Sequence, residues 1–223
     1  MTSETGPVTR DVMLAYPHPG WVRGEFMNRI ASILQDEKGR VGEVADLMSG
    51  PGIAMSRNRL ANKFIESGES EWLWFCDTDM VVSLETLPAL LAAADPDERP
   101  VVGAFCCVMI DNEIRPSMYL SSRDDDGAFA FRHLVEWPDD TILRVDATGC
   151  GCLLIHRSVF PRLAALEQVI EGLWFTEMVI DNHQIGEDLS FCVRLSWAEI
   201  PVFVHTGVQV GHMKAVQLGK CSP

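Results

Sequence analysis

Two carboxylates one residue apart follow an apolar segment of the chain. Trp72–Cys76 is a continuous apolar run, as in a strand buried on both faces, and Asp77-Thr78-Asp79 follows it directly. In an open α/β sheet, ligands bind beyond the carboxyl ends of the strands. Because residues i and i+2 of an extended segment project to the same side, Asp77 and Asp79 can converge on one hard cation that also takes phosphate oxygens. The alternative is an ordinary strand-ending turn with two exposed aspartates.

Further chemistry-bearing side chains occur late in the chain. Glu187 and Asp188 follow Gly186 at the predicted start of a helix, where the helix dipole favours acidic residues whether or not they are functional. A carboxylate at this place could instead act as a general base toward an acceptor hydroxyl. His212 follows a short apolar strand and a glycine, so its neutral imidazole could turn back toward the site as a metal ligand. A lone histidine is otherwise a surface or core residue.

The first half of the chain alternates predicted strands and helices. Strands are predicted at 11–15, 41–48, 72–76 and 101–108, and helices at 25–34, 54–66 and 84–94. The last helix is predicted to be capped by Ser83, and the segment 16–20 to be a loop because it holds two prolines and a glycine. The buried stripe of the second helix is predicted to be Leu60, Ala61, Phe64 and Ile65. This alternation predicts a mostly parallel central sheet flanked by helices.

The second half of the chain is less regular. The segment 117–135 combines an acidic turn with short strand-like pieces, and strands are predicted at 152–156, 202–204 and 208–210. Helices are predicted after Ser158 and over 187–197. The second of these should turn four apolar residues inward: Leu189, Cys192, Val193 and Trp197. No internal repeat and no linker divides the chain.

Composition excludes several classes of partner. The 223 residues carry a formal net charge of −14, which argues against nucleic acid or an anionic membrane as the main partner. A phosphorylated ligand would need local neutralisation by a metal or by a few placed cations. The seven cysteines form no CxxC pair, so a zinc knuckle or a thioredoxin-type motif is not expected. The odd cysteine count and the polar segment 1–10 favour the cytoplasm, and the longest apolar run, 101–110, is about half of a membrane span.

Five stretches of the sequence, in this order, resemble the GT-A glycosyltransferases, particularly small bacterial and bacteriophage members. They are 56–61 (SRNRLA), 74–80 (WFCDTDM), 148–157 (TGCGCLLIHR), 186–192 (GEDLSFC) and 210–212 (VGH). The resemblance spans roughly residues 11–214. It implies an α/β, Rossmann-like GT-A fold in a single domain over 1–223. A donor-binding half would lie at about 11–110, an acceptor-binding and metal-completing half at about 111–214, and a short tail at 215–223.

The resemblance also implies roles for individual residues. Asp79 would bind Mn²⁺ or Mg²⁺ directly, Asp77 would face the metal's water shell or the ribose, and His212 would complete the metal site. Asp188 would be the general base of an inverting displacement, with Glu187 orienting it or contacting the acceptor. A UDP- or GDP-sugar donor would be contacted by residues from four segments: Tyr16, Pro17, Arg57, Asn58, Asp77, Thr78, Asp79, Gly149, Cys150 and Gly151. Trp174 and Phe175 could line a sugar or belong to the core.

Two other functions fit parts of the same pattern. A nucleotidyltransferase or another metal-dependent phosphoryl enzyme would also place carboxylates after a buried strand, although the sequence has no GxxxxGK[ST] loop. A nucleotide-sugar-binding module without turnover would keep the same metal-site residues. The segment 110–145 matches no pattern, so the sequence leaves the acceptor open.

Overall fold

The computed structural model describes residues 10–36, 40–50 and 52–214, so the predicted tail 215–223 lies outside the described residues. Five helices are α1 (Gly24–Gln35), α2 (Ile53–Ser67), α3 (Thr86–Ala93), α4 (Val159–Ala164) and α5 (Glu187–Trp197). The strands of the first half are β1 (Val12–His18), β2 (Val41–Met48), β3 (Trp72–Cys76), β4 (Met80–Val81), β5 (Val101–Phe105), β6 (Cys107–Ile110), β7 (Glu113–Pro116) and β8 (Met118–Arg123). Those of the second half are β9 (Phe129–His133), β10 (Ile142–Val145), β11 (Ala147–Thr148), β12 (Cys152–His156), β13 (Met178–Ile180), β14 (His183–Ile185), β15 (Val202–Gln209) and β16 (Gly211–His212).

A seven-stranded sheet forms the centre, in the order β10-β15-β5-β12-β3-β1-β2. Strands β2, β1 and β3 are mutually parallel, and β5 is parallel to β15. Only β12 and β10 run antiparallel to their neighbours. The predicted mostly parallel sheet is therefore confirmed.

Both faces of this sheet are covered, which explains why β1, β3, β5 and β12 are apolar without a polar–apolar alternation. In β3, Trp74 packs with α1 and α3 on one face, whereas Phe75 packs with α2, α4 and α5 on the other. The two residues are fully buried on opposite sides because successive side chains of a strand alternate. The strand ends therefore hold a fixed position, and the loops that follow them can carry chemistry.

Four small antiparallel sheets surround the carboxyl end of the central sheet. They pair β6 with β7, β13 with β14, β4 with β16, and β8 with both β9 and β11.

No helix in the ranges that the structure describes is long and apolar enough to cross a bilayer.

Several predicted boundaries are wrong. The segment 16–20 is not all loop, since β1 continues to His18 and pairs with β2 through Tyr16 and Pro17. Ser83 does not cap α3: the helix begins at Thr86, whose hydroxyl accepts the Ser83 backbone N–H at 2.9 Å. The predicted strand 101–108 is two strands that separate at Cys106, where the Ser117 N–H donates to the Cys106 carbonyl.

Other corrections concern burial and one strand division. The predicted strands 202–204 and 208–210 are one strand, β15, with a register irregularity between His205 and Gln209. Ile65 and Trp197 were expected to face the core, but both are exposed. They lie at the margins of the apolar stripes of α2 and α5, where burial cannot be read from helical spacing alone.

Candidate active site

The loop after β3 is fixed against the turn that precedes β12. The backbone N–H of Asp77 donates to the Gly151 carbonyl at 2.8 Å, and the Met80 N–H donates back to the Asp77 carbonyl at 3.0 Å. Because β12 runs antiparallel to β3, the residues before β12 lie beside those that follow β3. The fold thereby brings Asp77 together with Gly149, Cys150 and Gly151, which are about 70 residues later in the chain.

A buried arginine joins two of the predicted site carboxylates. The Arg57 Nη2 atom donates to both carboxylate oxygens of Asp77, at 2.8 and 3.1 Å, and its Nη1 atom forms an ion pair with Glu187. Arg57 projects from α2, Asp77 follows β3 and Glu187 begins α5. The Arg57 side chain is only 4% exposed, so the cation of this cluster is buried, while its two carboxylates keep limited access to solvent.

Burial and the neighbouring charges shift the pKa values of this cluster in opposite directions. Burial opposes the charge of Arg57, but the neighbouring acidic groups, Asp77 foremost, outweigh it and raise the guanidinium pKa. Burial raises the pKa of Asp77 and of Glu187, with Arg57 opposing the rise in each case. The pairing therefore compensates a substantial desolvation cost.

The turn at 149–151 lies against the third carboxylate, Asp188. A methyl group at Gly149 would lie 2.8 Å from Ser117 Oγ and 3.4 Å from Asp188 Oδ2, so a larger side chain would press on both groups. The Gly149 N–H donates to Ser117 Oγ at 3.1 Å, and the Thr148 hydroxyl donates to the Ser117 carbonyl at 2.7 Å. Ser117 thus anchors this turn beside Asp188. It was not singled out from the sequence.

Asp188 differs from its two acidic neighbours in lacking a cationic partner. Its Oδ1 atom accepts the Leu189 backbone N–H at 2.8 Å in the first turn of α5. No lysine, arginine or histidine of the described residues forms an ion pair with it. The carboxylate is only partly buried, so its Oδ2 atom remains available to a ligand.

A second cluster joins Asp79 to the end of the described chain. Strand β16 pairs with β4 so that His212 lies opposite Met80, and the Met213 N–H donates to the Asp79 carbonyl at 2.8 Å. This pairing places His212 Nε2 3.0 Å from Asp79 Oδ2. Lys214 Nζ lies 3.0 Å from the same oxygen. The structure thus brings Asp79 and His212 together across 133 residues.

Hydrogen bonding fixes the orientation of the His212 ring. Its Nδ1 atom lies 3.0 Å from the Cys107 carbonyl oxygen, which can only accept, so Nδ1 carries a proton. Its Nε2 atom faces the Asp79 carboxylate. The bond to Asp79 raises the pKa of His212, against the effect of burial. Burial opposes ionisation of Asp79, but hydrogen bonds from His212 and Lys214 lower the Asp79 pKa to about 2.

An open cleft of about 410 Å³ lies over Asp79, and we call it the Asp79 cleft. Its lining comes from the end of β1 and the segment before α1, from the residues between β2 and α2, from the loop after β3 and from the end of the described chain: Pro17, His18, Pro19, Trp21, Arg23, Ser49, Ile53, Asp77, Thr78, Asp79, Met213 and Lys214. The Trp21 side chain is 62% exposed. Trp21 and Arg23 were not predicted as site residues, although an exposed tryptophan next to the predicted loop was a signal available in the sequence.

Some predicted site residues point away from the cleft. Tyr16 is buried, with its ring edge-on to Phe26 at 5.4 Å. Asn58 is also buried, and its side-chain oxygen accepts the Phe175 N–H at 2.8 Å. Cys150 is buried beneath the turn that contains it. These residues support the site from behind.

The two aromatic residues considered for a sugar-binding wall belong to the core. Trp174 and Phe175 are both buried. The Trp174 indole N–H donates to Asn62 Oδ1 at 2.8 Å, and the Phe175 ring stacks on Phe191 at 4.3 Å.

Within the described residues, no three His, Cys, Asp or Glu side chains converge as a ready metal site. Asp79 and His212 supply two converging groups, while both oxygens of Asp77 accept from Arg57. Mg²⁺ sites commonly use one or two protein carboxylates and take further oxygens from substrate phosphates, and Asp79 supplies one such carboxylate.

Comparison with known proteins found relatives by structure only. No family model matches the chain, and no curated protein matches it by sequence. Among solved structures, A197 from STIV superposes with a TM-score of 0.58 at 17% identity, covering 92% of this chain and 86% of that one. GalNAc-T7, in a complex with UDP, GalNAc and Mn²⁺, superposes with a TM-score of 0.62 at 12% identity over 96% of this chain. TarS from S. aureus, in a complex with UDP-GlcNAc, gives 0.50 at 12% over 93%.

These likenesses concern the fold. The chain spans only 45% of the GalNAc-T7 structure and 60% of the TarS structure. Identities of 12–17% carry no information on individual site residues. Together with the sheet order, they confirm the predicted α/β fold of the GT-A type.

Proposed function

We propose that this chain is a metal-dependent glycosyltransferase that moves a sugar from a nucleoside-diphosphate sugar to an acceptor hydroxyl. The observation that carries the proposal is the arrangement of three carboxylates at the end of one strand and one helix. Asp79 meets His212 on the open side, Asp77 is held by Arg57, and Asp188 stands without a cation beside Gly149. The neighbours that hold UDP, GalNAc and Mn²⁺, or UDP-GlcNAc, support a nucleotide-sugar ligand.

The donor would occupy the Asp79 cleft. The exposed Trp21 ring offers a face on which a nucleobase can stack, and a purine or a pyrimidine would fit this role, so UDP- and GDP-sugars both remain candidates. Arg23 and Lys214 line the same cleft and can meet phosphate oxygens. Thr78 and the backbone of the loop after β3 would face the ribose and sugar.

Asp79 and His212 would hold Mn²⁺ or Mg²⁺. With Nδ1–H committed to the Cys107 carbonyl, His212 would present Nε2 to a metal beside the Asp79 carboxylate once the Nε2 proton is displaced, and this is the orientation that a metal-binding histidine needs. Asp77 would face the metal's water shell or the ribose, because Arg57 already engages both of its oxygens. When bound, the cation supplies Lewis-acid stabilisation of the negative charge on the departing nucleoside diphosphate.

Asp188 is the proposed general base. Its free Oδ2 atom would take the proton of the acceptor hydroxyl as that oxygen attacks the anomeric carbon and the bond to the diphosphate breaks, with inversion. Glu187 is paired with Arg57 and so would orient the start of α5 and not take the proton itself. In this scheme the half at about 11–110 binds the donor and the half at about 111–214 supplies the base and completes the metal site.

The first test is calorimetric titration of UDP and GDP into the protein with Mn²⁺ and then with EDTA. We expect one nucleotide to bind with Mn²⁺ and to lose its affinity with EDTA. If neither nucleotide binds in a metal-dependent way, the proposal is wrong.

Paired variants separate donor binding from chemistry. Asp79→Ala should abolish metal-dependent nucleotide binding because it removes the carboxylate ligand. Asp188→Asn keeps the size of the side chain, so it should bind nucleotide normally while transfer falls by about 10²–10⁴-fold. Normal nucleotide binding by Asp79→Ala would refute the metal assignment. Turnover of a nucleoside triphosphate with a sugar phosphate would identify a nucleotidyltransferase instead.

A further inference from the structure

A second cavity, of about 630 Å³, lies away from the Asp79 cleft along helix α5, and we call it the α5 cavity. Aromatic and ionic side chains share its lining: Phe129, Phe131, Trp197, Arg144, Asp146 and Glu199. They come from β9, from β10 and the residue after it, and from the end of α5 and the turn that follows. Trp197 is 44% exposed, so a large aromatic surface faces the cavity without a packing partner that buries it.

The cavity lies on the side of α5 that carries the proposed base. Cys192 and Ser196 line the cavity and follow Asp188 at intervals of four residues, so all three lie on one side of the helix. At 1.5 Å per residue, Ser196 is about 12 Å from Asp188 along the helix axis. A compact ligand cannot cover that distance, whereas an elongated one can.

A row of aromatic rings lies between the region of Asp188 and the α5 cavity. Strand β11 leads into Gly149, where a methyl group would lie 3.4 Å from Asp188 Oδ2, and β11 pairs with β8 through Ala147 and Tyr119. The Tyr119 ring lies 6.3 Å from that of Phe131, which in turn lies 5.1 Å from that of Phe129. This row of rings runs along the β8–β9 face from the neighbourhood of the base to the cavity wall.

The charge of the lining indicates the class of ligand. Two carboxylates, Asp146 and Glu199, face one guanidinium, Arg144, so the cavity is unsuited to an anionic ligand. Asp146 Oδ2 already accepts the Ser121 N–H and hydroxyl, both at 2.7 Å, which fixes this carboxylate against the wall. Aromatic faces combined with fixed carboxylates and hydroxyl groups suit an uncharged molecule with apolar C–H faces and many hydroxyls.

We infer that the α5 cavity binds the distal part of a neutral oligosaccharide acceptor whose reactive end lies at Asp188. This inference rests on the proposed glycosyltransferase function and names its acceptor class. Trp197 and Phe129 stack on sugar rings, and Arg144, Asp146 and Glu199 hydrogen-bond to ring hydroxyls. The segment 110–145, which matched no sequence pattern, then has a role, because it contributes Phe129, Phe131 and Arg144 to this cavity.

The test measures binding of maltotriose, cellotriose and triacetylchitotriose by saturation-transfer NMR and calorimetry, with UDP and Mn²⁺ as a parallel titration. We expect at least one trisaccharide to bind. Trp197→Ala should weaken that binding by about tenfold, since one aromatic contact is lost, and leave nucleotide binding unchanged. Arg144→Met, on the opposite wall, should weaken it by a smaller factor.

Trp21→Ala is the reciprocal variant, because Trp21 is also an exposed tryptophan but lines the Asp79 cleft. It should weaken nucleotide binding and leave trisaccharide binding unchanged. If no trisaccharide binds to protein that binds nucleotide, or if Trp197→Ala binds trisaccharide normally, the acceptor inference is wrong and the proposed function stands. Binding of decanoate without any trisaccharide would also overturn it. If trisaccharide binds through Trp197 but no nucleotide binds, the proposed function fails and the saccharide site stands.

Discussion

The two charged clusters of the candidate site are only a few residues apart in sequence but differ in almost every physical respect. Arg57 holds Asp77 and Glu187 in the interior, where its own side chain is 4% exposed. Asp79 meets His212 and Lys214 at the surface of a cleft, where Lys214 is 47% exposed. In the first cluster the protein itself supplies the cation, Arg57, that pairs with both carboxylates. The second is neutralised by groups that a bound cation can replace.

This difference assigns different tasks to the carboxylates of one short motif. A buried ion pair is costly to break, because the remaining partner stays in the interior without compensation. Asp77 is therefore suited to fixing the loop that carries Thr78 and Asp79. The ion pair of Asp79 with Lys214 is accessible to solvent and contributes little to folding, so Asp79 can exchange Lys214 for a metal at small cost. Two carboxylates of one short motif thus have different surroundings: Asp77 is paired with a buried arginine and Asp79 with groups at the mouth of a cleft.

The largest expected effect is on stability, at the buried cluster. Arg57→Met should lower the free energy of unfolding by about 3–5 kcal/mol, because Asp77 and Glu187 would remain buried without a cation. Urea denaturation measures this. Asp79→Asn is the matched change in the second cluster and should cost less, about 1–2 kcal/mol, because this carboxylate keeps partial access to solvent.

A triple variant checks the cause of that loss. Arg57→Met combined with Asp77→Asn and Glu187→Gln removes the cation and both charges, so it should recover much of the stability. Equal losses for Arg57→Met and Asp79→Asn would mean that the two clusters do not differ as described.

The location of the site followed from the sequence, because strand ends meet at one edge of a parallel sheet. Asp77 and Asp79 directly after an apolar run, and His212 directly after the last strand, were enough to predict that they share one edge. The structure shows that Asp79 and His212 do meet, through the pairing of β16 with β4. Strands β4 and β16 have only two residues each, which is too short for a periodic pattern, so the sequence does not predict their pairing.

The side-chain partners of Arg57 and Asn58 could not be read from the sequence. Arg57 reaches Asp77 across 20 residues and Glu187 across 130, and neither helical nor strand spacing relates them. Arg57 was therefore expected to contact a nucleotide, whereas it contacts carboxylates. Asn58 likewise binds a backbone N–H 117 residues away.

Two hairpins were missed although a local signal existed. Asp111-Asn112 and Asp181-Asn182 each occupy a two-residue turn with positive φ at both positions, between 50° and 65°. Aspartate and asparagine tolerate this left-handed conformation better than most residues, which makes such a pair a hairpin signal. Reading it would have placed β6–β7 and β13–β14 correctly in the half of the chain that looked irregular.

The next effect in size is the pH dependence of metal binding at the exposed cluster. The hydrogen bond to Asp79 raises the pKa of His212 above its usual 6.5, so the metal-free protein keeps a proton that Mn²⁺ must displace. Affinity for Mn²⁺ with UDP should therefore rise with pH, by about tenfold per unit below the raised pKa of His212, and level off above it. Calorimetry across this pH range measures it.

The raised pKa of His212 also makes the stability of the metal-free protein fall as the pH rises. Stabilisation by protonated His212 is fully present below the unfolded pKa and is lost as pH rises through the folded one. His212→Gln should remove both dependences, whereas Asp188→Asn should keep both. A pH profile of metal affinity that is identical in His212→Gln and in the unmodified chain would show that His212 is not a ligand.

The smallest expected effect concerns Lys214, which lies 3.0 Å from Asp79 Oδ2 and so competes with a metal for that oxygen. Lys214→Met should leave thermal stability unchanged, since exposed pairs contribute about 0–1 kcal/mol. Mn²⁺ alone should then bind up to about fivefold more tightly, because its competitor is gone. UDP in the presence of saturating Mn²⁺ should bind more weakly, because a cation that can meet the diphosphate is lost.

Lys214→Arg, which keeps the charge, is the control and should shift neither affinity in that direction. If Lys214→Met raises the affinity for Mn²⁺ and lowers the affinity for UDP, Lys214 moves from the Asp79 carboxylate to the phosphates when the donor binds. If both affinities change in the same direction, Lys214 interacts with only one of these partners.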